Sequence, residues 1–426
     1  MTTDIYTELS WRGLVYQTTD DAFLAGWLRT PGRTVYAGFD PTADSLHVGH
    51  LMPLMLLRRF QRAGHRPIAL AGGATGMIGD PSGKSAERNL LSPEKLAANV
   101  ASIEGQLRHL LDFDAGKYSA VLTNNLEWIG KFSFIEFLRD VGKNFPVNVM
   151  MGKDSIKSRL TGDTGISYTE FSYMLLQAYD FVHLRRAYGC ELQVGGSDQW
   201  GNITAGIDLA RRMDAVQLYG LTCPLLMTAD GQKMGKTEKG ALWLSPQRTS
   251  PYAFYQYWIN VADADAGKCL RFLTDCSSDE IEALLQAQAD RPQERPAQHR
   301  LAASVTGLIH GPAGLEAAER ATKIFFGAAI ANLSDAQLAE IFADVPSREL
   351  PRARLDEGLP VIDAFMEAAL AKSKGEVRRK LDEGGVYVNN VRCTDKDQKL
   401  GPADLASETV LVLRLGRKNY ALLRFV

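Results

Sequence analysis

The chain has 426 residues, a length that fits about two to four domains. Of these residues 45% are hydrophobic and 23% are charged, as in globular proteins that bury a large core. The formal net charge is −2, so any surface that binds nucleic acid must be a local basic patch rather than the whole molecule.

Cysteine usage and the start of the chain indicate a cytoplasmic protein. The five cysteines are odd in number and never form a CxxC pair, which argues against a disulfide framework and a zinc site. The opening residues "MTTDIYTELS" resemble neither a signal peptide nor an Arg-rich transit peptide. The longest apolar run, "LMPLMLL", is far shorter than the ~20 residues of a membrane span.

The element pattern predicts a parallel sheet. Residues 1–32 favour one or two amphipathic helices, and "RTVYAGFD" (33–40) is a buried strand. A helix over 45–65, with Ser45 as its N-cap, leads to a second strand at 66–73. Strand, helix and strand in this order form a βαβ unit, whose ligands bind at the carboxyl ends of the strands. Further strands are predicted at 118–125, 190–196 and 221–227.

The stretch "DPTADSLHVGH" lies at the start of the first long helix. The N–H groups and dipole of a helix start favour an anion. His47 and His50 lie about one turn apart and can donate to the same phosphate chain, while Gly49 lets a base or ribose approach the backbone. Alternatively, the two histidines are a metal site, for which no third ligand is evident, or ordinary surface or core residues.

A glycine-rich loop, "GGATGMIGDPSGKS", follows the second strand. It is not a P-loop, because the pattern GxxxxGK[ST] requires glycine where Ile78 stands. Close approach of a ligand to its backbone is still expected, and Lys84 and Arg88 could meet phosphates. The alternative is a plain tight connection between two elements.

A second glycine-flanked loop, "GQKMGKTEKG", follows the last predicted strand. Its Lys233 and Lys236 suit a mobile clamp on a polyphosphate, although a solvated charged loop would have the same composition.

The helix "TEFSYMLLQAYDF" carries a polar stripe of Tyr173, Gln177 and Asp180, which either faces solvent or lines a pocket.

HVGH after the first strand and KMGKT after the last resemble the HIGH and KMSKS motifs of class I aminoacyl-tRNA synthetases. The stretches "YAGFDPTADSLHVGHL", "GGATGMIGDPSGK", "FSYMLLQAYDF" and "GGSDQWGNI" resemble the bacterial-type tyrosyl-tRNA synthetases. The resemblance covers almost the whole chain. It implies an α/β fold with a Rossmann-like parallel-sheet catalytic domain, a helical domain, and a small α+β RNA-binding module similar to the fourth ribosomal small-subunit protein.

The resemblance also implies domain boundaries. We expect a catalytic domain at 1–230 with a connective and dimer-interface region at about 126–160, the KMSKS loop and a helical anticodon-side domain at 231–330, a linker at 331–358, and the RNA-binding module at 359–426. In that module five Lys or Arg residues stand against one Glu in 372–380, and the following "GGVYVNN" turn suits a bent RNA backbone. A solvated helix face is the alternative.

The implied activity is that of a tyrosine–tRNA ligase. The family joins L-tyrosine and ATP into tyrosyl-adenylate with release of pyrophosphate, then transfers tyrosine to the 3′ end of tRNA(Tyr). Displacement at the α-phosphorus needs alignment and charge stabilisation but no covalent enzyme intermediate. The resemblance further implies a homodimer, Mg²⁺ accompanying ATP without a dedicated protein metal site, and no membrane or DNA partner.

The family's functional residues map onto this sequence in three groups. The groups for phosphate chemistry are Thr42, His47, His50, Lys84, Arg88, Lys233 and Lys236. The groups for ATP are Gly38, Asp40, His47, Gly49, His50, Gly196, Asp198 and Lys236. The groups for tyrosine are Tyr36 and Asp180 at the phenol, Asp80, Tyr173 and Gln177 at the ammonium, and Thr75, Asn125 and Gln199 completing the pocket.

Two other hypotheses remain open at this point. A tryptophan-specific relative is disfavoured because Tyr36 and Asp180 both suit a phenol. A synthetase-derived RNA-binding protein lacking ligase activity is disfavoured because both motifs are intact. The lysine motif departs from KMSKS in having Gly235, a variation that occurs within the family.

Overall fold

A computed structural model describes residues 4–82, 90–160, 165–237, 240–328, 330, 333–342 and 345–426. It divides into two compact units. The first comprises Met1–Thr249 and Val261–Ser304, and the second comprises Ser250–Asn260 and Val305–Val426. Within these residues, no helix combines the length and the apolar character needed to cross a membrane.

The elements up to the lysine loop alternate between strands and helices. In chain order they are α1 (Ile5–Arg12), β1 (Gln17–Thr18), α2 (Asp21–Trp27), β2 (Thr34–Phe39), α3 (Leu51–Arg62), β3 (Arg66–Ala71), α4 (Thr75–Ile78), α5 (Pro93–Leu110), β4 (Val121–Asn124), α6 (Leu126–Ile129), α7 (Phe134–Asp140), α8 (Val147–Met151), α9 (Asp154–Leu160), α10 (Tyr168–Tyr188), β5 (Leu192–Gly196), α11 (Trp200–Asp214), β6 (Tyr219–Cys223), β7 (Lys236–Thr237) and β8 (Gly240–Ala241).

The later elements are mostly helical until the last sixty or so residues. They are α12 (Pro251–Ile259), α13 (Asp263–Leu273), α14 (Ser278–Asp290), α15 (Pro296–Phe325), α16 (Asp335–Ile341), β9 (Ser347–Leu350), α17 (Arg352–Asp356), β10 (Leu359–Pro360), α18 (Val361–Glu367), α19 (Lys374–Asp382), β11 (Val386–Val388), β12 (Val391–Arg392), β13 (Lys399–Leu400), β14 (Val410–Leu415) and β15 (Asn419–Phe425).

The first unit is built on a six-stranded sheet of order β1-β6-β5-β2-β3-β4. β1 is antiparallel to β6 and all other neighbours are parallel, which confirms the predicted parallel sheet. The chain leaves β2 towards β3 on one side, while β5 pairs with the other side of β2. This is a topological switch point, so a ligand crevice is expected at the carboxyl ends of β2 and β5.

The core beside the sheet explains where α10 lies. Its 21 residues begin at the Ser167 cap and end at Gly189 in the left-handed region. Apolar side chains from several sides of α10 pack with Tyr36, Ile68 and Leu70 of the sheet in one cluster. A helix that is apolar on most sides is a buried helix, and its few polar side chains therefore face the crevice or each other.

The second unit contains a five-stranded sheet of order β12-β11-β14-β15-β9, in which only the β15–β9 pairing is parallel. The stretch 331–358, expected to be a linker, instead contains α16, β9 and α17. The linker prediction rested on the prolines and charged residues of this stretch. Its two leucines Leu350 and Leu355, however, are 8% and 0% exposed and belong to the core of this unit. The stretch is thus an integral part of the second unit.

Candidate active site

A cavity of about 690 Å³ lies at the carboxyl ends of the parallel strands. Its wall is made by loops that follow β2, β3, β5 and β6, together with one face of α10. The predicted site residues on the wall are Tyr36, Gly38, Asp40, Thr42, His47, Gly49, His50, Thr75, Asp80, Tyr173, Gln177, Asp180, Gly196, Asp198, Gln199, Lys233 and Lys236. Lys84 and Arg88 lie outside the described residues.

Asp180 provides a buried carboxyl group in the cavity. It is 1% exposed, and its two oxygens accept hydrogen bonds from Trp128 Nε1 at 2.8 Å and Asn125 Nδ2 at 3.0 Å. Burial raises the pKa of Asp180 to about 8, although both hydrogen bonds act in the opposite direction. The carboxyl group is thus held in a fixed orientation in surroundings that disfavour its charge.

Tyr36 lies beside this carboxyl group and is also buried, at 1% exposed. Its hydroxyl has no hydrogen-bond partner among the described residues. Burial, and then the charge of Asp180, raises the pKa of Tyr36 well above its usual value. A buried hydroxyl without a partner is costly, so the pair is suited to a ligand hydroxyl that donates to Asp180 and accepts from Tyr36.

Asn125, expected to complete the tyrosine pocket, lies directly behind two of the residues that line the cavity. It is 0% exposed and does not line the cavity. Its amide instead donates to Asp180 and to Thr75 Oγ1, and its carbonyl accepts from the backbone N–H of Ala74. Asn125 is therefore a positioning residue behind the wall, joining the end of β4 to the loop after β3.

A second network holds Asp40 in place at the end of β2. The hydroxyls of Tyr173 and Thr75 donate to its two carboxyl oxygens at 2.8 and 2.7 Å. The adjacent Gly72 is required here, because a Cβ atom would lie 2.0 Å from Asp40 Oδ1. Since the Tyr173 proton is donated to Asp40, its oxygen can only accept from a ligand.

Acceptor atoms form the neighbouring part of the wall. Gln199 Nε2 donates to Asp80 Oδ2 at 2.7 Å, and Gln177 Nε2 donates to Gln199 Oε1 at 3.2 Å. The side-chain oxygen of Gln177 is buried and has no hydrogen-bond partner in the described part of the chain. Together with the Tyr173 oxygen and the Asp80 carboxylate, it offers a set of acceptors that suits an ammonium group.

The two histidines cap the turn that begins the first long helix. The expected N-cap at Ser45 was wrong, because its hydroxyl donates to Leu46 O and a 3-10 turn starts only at Val48. Backbone N–H groups of Gly49 and His47 donate to Nδ1 of His47 and His50, respectively, both at 3.1 Å. We therefore assign both neutral rings the tautomer with Nε2–H, which makes each ring a donor at Nε2.

These contacts also bear on the metal hypothesis. Each Nδ1 atom accepts from the backbone, and only Nε2 of each ring is left in the donor form. In the described ranges, no group of three or more His, Cys, Asp or Glu side chains is placed to hold a metal ion. Both rings therefore have the donor form that the phosphate interpretation of HVGH requires.

The lysine loop is joined to HVGH by backbone hydrogen bonds. Val48 N donates to Leu242 O at 3.0 Å, and Leu242 N donates to Gly235 O at 2.7 Å. Gly235 has φ 82°, and a Cβ atom there would lie 2.0 Å from Val48 Cγ2. Glycine at this position, where KMSKS has serine, thus permits close packing on Val48 without strain. Lys233 and Lys236 are exposed and line the cavity.

Two residues on this site were missed by the sequence analysis. Trp128, placed in the expected dimer-interface region, instead donates to Asp180. Gln193 is the strand partner of Tyr36, is 2% exposed, and lines the cavity with an oxygen that lacks a described partner. A glutamine inside the otherwise apolar strand "LQVGG" was the available indication for Gln193, whereas nothing local distinguished Trp128.

The raised pKa of Asp180 predicts a pH-dependent cost of folding. Between about pH 4 and about pH 8 the folded protein binds more protons at this group than the unfolded chain does. The free energy of unfolding of the wild type should therefore fall relative to that of Asp180→Asn as pH rises through this window, by up to about 1.4 kcal/mol per pH unit. Urea unfolding at several pH values measures this difference, and parallel curves for the two proteins would contradict it.

Comparison with known proteins identifies the family. A model described as "tRNA synthetases class I (W and Y)" matches residues 30–327, and one described as "Tyrosine--tRNA ligase SYY-like C-terminal domain" matches residues 337–423. The tyrosine–tRNA ligase of Rhodopirellula baltica is 58% identical over 99% of this chain and 97% of the relative. That of Bacillus velezensis is 49% identical over 99% of this chain and 100% of the relative.

Solved structures agree in fold. A C-terminally truncated mitochondrial tyrosyl-tRNA synthetase of Aspergillus nidulans is 32% identical, with a TM-score of 0.68 over 75% of this chain and 94% of that chain. A tryptophanyl-tRNA synthetase of Encephalitozoon cuniculi shares the fold at 15% identity, with a TM-score of 0.54 over 74% of this chain and 89% of that chain. From HVGH to the C-terminal module, the chain belongs to the bacterial tyrosine–tRNA ligases, within the class I aminoacyl-tRNA synthetases.

Proposed function

We propose that this chain activates L-tyrosine with ATP in the cavity at the ends of β2 and β5, and then transfers tyrosine to the 3′ end of tRNA(Tyr). The observation that carries the proposal is the buried Tyr36 hydroxyl without a partner beside the buried Asp180 carboxyl group. A phenol bound between them would satisfy both groups. Phenylalanine would leave the Tyr36 hydroxyl without a partner and would add no hydrogen bond to Asp180, a form of rejection for which tyrosyl-tRNA synthetase is itself the standard example.

The remaining contacts to tyrosine follow from the acceptor wall. The ammonium group would donate to Tyr173, Gln177 and Asp80, whose oxygens are available as acceptors or already fixed by neighbours. Thr75 and Gln199 support this wall through Asp40 and Asp80. In this arrangement the tyrosine carboxylate would point towards the side of the cavity where the histidines and lysines lie.

The nucleotide would occupy the other side of the same cavity. Nε2–H of His47 and His50 would donate to the phosphate chain, as Thr42 would with its hydroxyl. Lys233 and Lys236 would stabilise the charge that develops on the departing pyrophosphate. Gly38, Gly49 and Gly196 would let the base and ribose approach the backbone, with Asp40 and Asp198 as acceptors for the ribose and its surroundings. Lys84 and Arg88 remain candidates for the same phosphates.

The reaction then needs only binding, alignment and charge stabilisation by these side chains. The tyrosine carboxylate attacks the α-phosphorus in line with the leaving pyrophosphate, and no enzyme group becomes covalently attached. We propose that Mg²⁺ enters with ATP, where it would offset phosphate charge. The donor set fits this arrangement, since the carboxylates of Asp40 and Asp80 already accept hydrogen bonds and do not form an oxygen cage.

We propose that the protein is a homodimer. Apolar side chains in the expected interface region are exposed, from 41% at Leu126 to 70% at Ile135. The other exposed apolar side chains of this region are Phe134, Val147, Val149, Met151 and Leu160. A second copy of the chain would cover an apolar patch of this kind. We also propose a cytoplasmic location, because the five cysteines are all buried and unpaired.

The C-terminal module is the proposed tRNA-binding part, after the helical region of 251–325. On α19, Lys374 pairs with Asp363, while Lys380 and Arg379 pair with Glu383. The expected "GGVYVNN" turn is a tight hairpin with Asn389 and Asn390 at φ 50° and 64°. The side-chain amides of Asn389 and Asn390 both donate to backbone carbonyls of the unit itself. In the proposed tRNA contact the turn would therefore contribute its shape more than hydrogen bonds from these side chains.

Removal of the Tyr36 hydroxyl tests the tyrosine pocket. In ATP–pyrophosphate exchange, Tyr36→Phe should raise the KM for tyrosine by about 3- to 10-fold, as expected for one lost neutral hydrogen bond. The preference for tyrosine over phenylalanine should narrow by a similar factor. Tyr219→Phe is the matched control, because Tyr219 stacks on Phe23 away from the cavity. Unchanged discrimination in Tyr36→Phe would refute the assignment of the phenol site.

Gly235 provides a test of the contact between the two motifs. Gly235→Ala should lower kcat for exchange by at least about 5-fold, because a residue with φ 82° and a Cβ against Val48 is strained. Equilibrium binding of tyrosine without ATP should be unchanged. Gly231→Ala is the control, since Gly231 has φ 83° in the same loop but no atom within 4 Å of a Cβ. Equal losses in both variants would show that backbone conformation, and not packing on Val48, is responsible.

A further inference from the structure

Four side chains form an alternating row across the sheet of the second unit. Arg392 on β12 is the strand partner of Tyr387 on β11, which is the partner of Arg414 on β14, which in turn is the partner of Tyr420 on β15. Strand partners point to the same face of a sheet. The row therefore reads Arg–Tyr–Arg–Tyr across four adjacent strands.

The central pair of the row is closely stacked. The guanidinium carbon of Arg414 lies 3.7 Å from the ring centroid of Tyr387 and 5.8 Å from that of Tyr420. Tyr420 is 5% exposed and its hydroxyl is bonded to Ile324 O and Asn390 Oδ1. It anchors the inner end of the row, while Tyr387 and Arg414 are half-buried and Arg392 is exposed.

Arg414 differs from the buried arginines that serve only structure. In the first unit, Arg12 and Arg59 donate to backbone carbonyls at the end of α13. Arg414, in contrast, makes no hydrogen bond or ion pair with any residue that the structure describes, and its Nε is buried without a partner. Within the described residues the guanidinium is thus held by stacking on tyrosine rings, and its N–H donors are not used in a hydrogen bond.

Two glycines, Gly384 and Gly416, lie beside the row. Gly416 N donates to Gly385 O at 2.7 Å, and nothing lies within 4 Å of a Cβ at Gly416. The guanidinium group of Arg392 packs against Gly384. A Cβ atom at position 384 would lie 1.4 Å from Nη2 of Arg392. The exposed cations Arg417 and Lys418 follow at once. This end of the module therefore combines positive charge, a planar stacking surface and room for close approach.

We propose that the Arg392–Tyr387–Arg414 row is a stacking surface for unpaired nucleotides of the tRNA. Bases extruded from loops or junctions stack on aromatic rings and guanidinium planes, and their phosphates meet the same cations. This inference rests on the proposed tRNA ligase function and adds to it a second contact besides α19. An acidic peptide would use the charge of the row but not its planar stack.

Substitution of Arg414 is the direct test, with full-length protein and tRNA(Tyr). Arg414→Met should weaken tRNA binding about 5- to 100-fold and reduce the slope of log Kd against log salt by about one. Arg414→Lys should keep the salt slope but not the affinity, because lysine lacks the planar group. Arg392→Met, at an exposed position that cannot disturb the core, should cause a smaller loss.

The controls separate this proposal from the function on which it rests. ATP–pyrophosphate exchange should be unchanged in all these variants, whereas its absence in the wild type would refute the ligase function itself. Arg352→Met removes the same charge from α17, where Arg352 pairs with Asp356, and should leave tRNA binding unchanged. Oligouridylate should compete for the row better than polyglutamate. Wild-type tRNA affinity in folded Arg414→Met, full rescue by Arg414→Lys, or better competition by polyglutamate would overturn the proposal.

Discussion

The buried carboxyl group of Asp180 is the constraint on which the site depends. It joins α10 to Trp128 of α6 and to Asn125 at the end of β4, and it lies beside Tyr36 of β2. Burial disfavours its charge, as the pKa of about 8 shows, so folding bears a cost at this position. In the proposed function the same burial would make selection effective, because a ligand that cannot hydrogen-bond would leave the buried Tyr36 hydroxyl unpaired.

The nucleotide side of the cavity depends on a different constraint, the contact between two segments almost two hundred residues apart. Val48, Leu242 and Gly235 are linked by backbone hydrogen bonds, and glycine at 235 permits the approach. Nδ1 of each histidine accepts a hydrogen bond from a backbone N–H group, so the ring proton is at Nε2, where it makes each ring a donor. In the proposed reaction these donors and the two lysines that line the cavity would meet the departing pyrophosphate, and the displacement would need no nucleophilic side chain from the protein.

Sequence reasoning predicted the sheet and most of the cavity wall because strand ends and glycine loops are local patterns. Sequence reasoning did not find the contacts between residues that lie far apart in the sequence. Asn125 and Trp128 act through Asp180, more than fifty residues away in the sequence, and no local pattern shows such a pairing. The supposed linker at 331–358 failed for a similar reason, since β9 is a strand only through its pairing with β15. Ser45 met the rules for a cap, but the two histidines cap the turn instead.

The most direct measurement of the central claim is ATP–pyrophosphate exchange by the wild-type protein, without tRNA, with tyrosine, phenylalanine or tryptophan as the only amino acid. The account predicts exchange with tyrosine and little or none with the other two, because only a phenol satisfies both Tyr36 and Asp180. Comparable exchange with phenylalanine would show that these groups do not select the substrate. Folded protein that supports no exchange with any of the three would contradict the proposed activity.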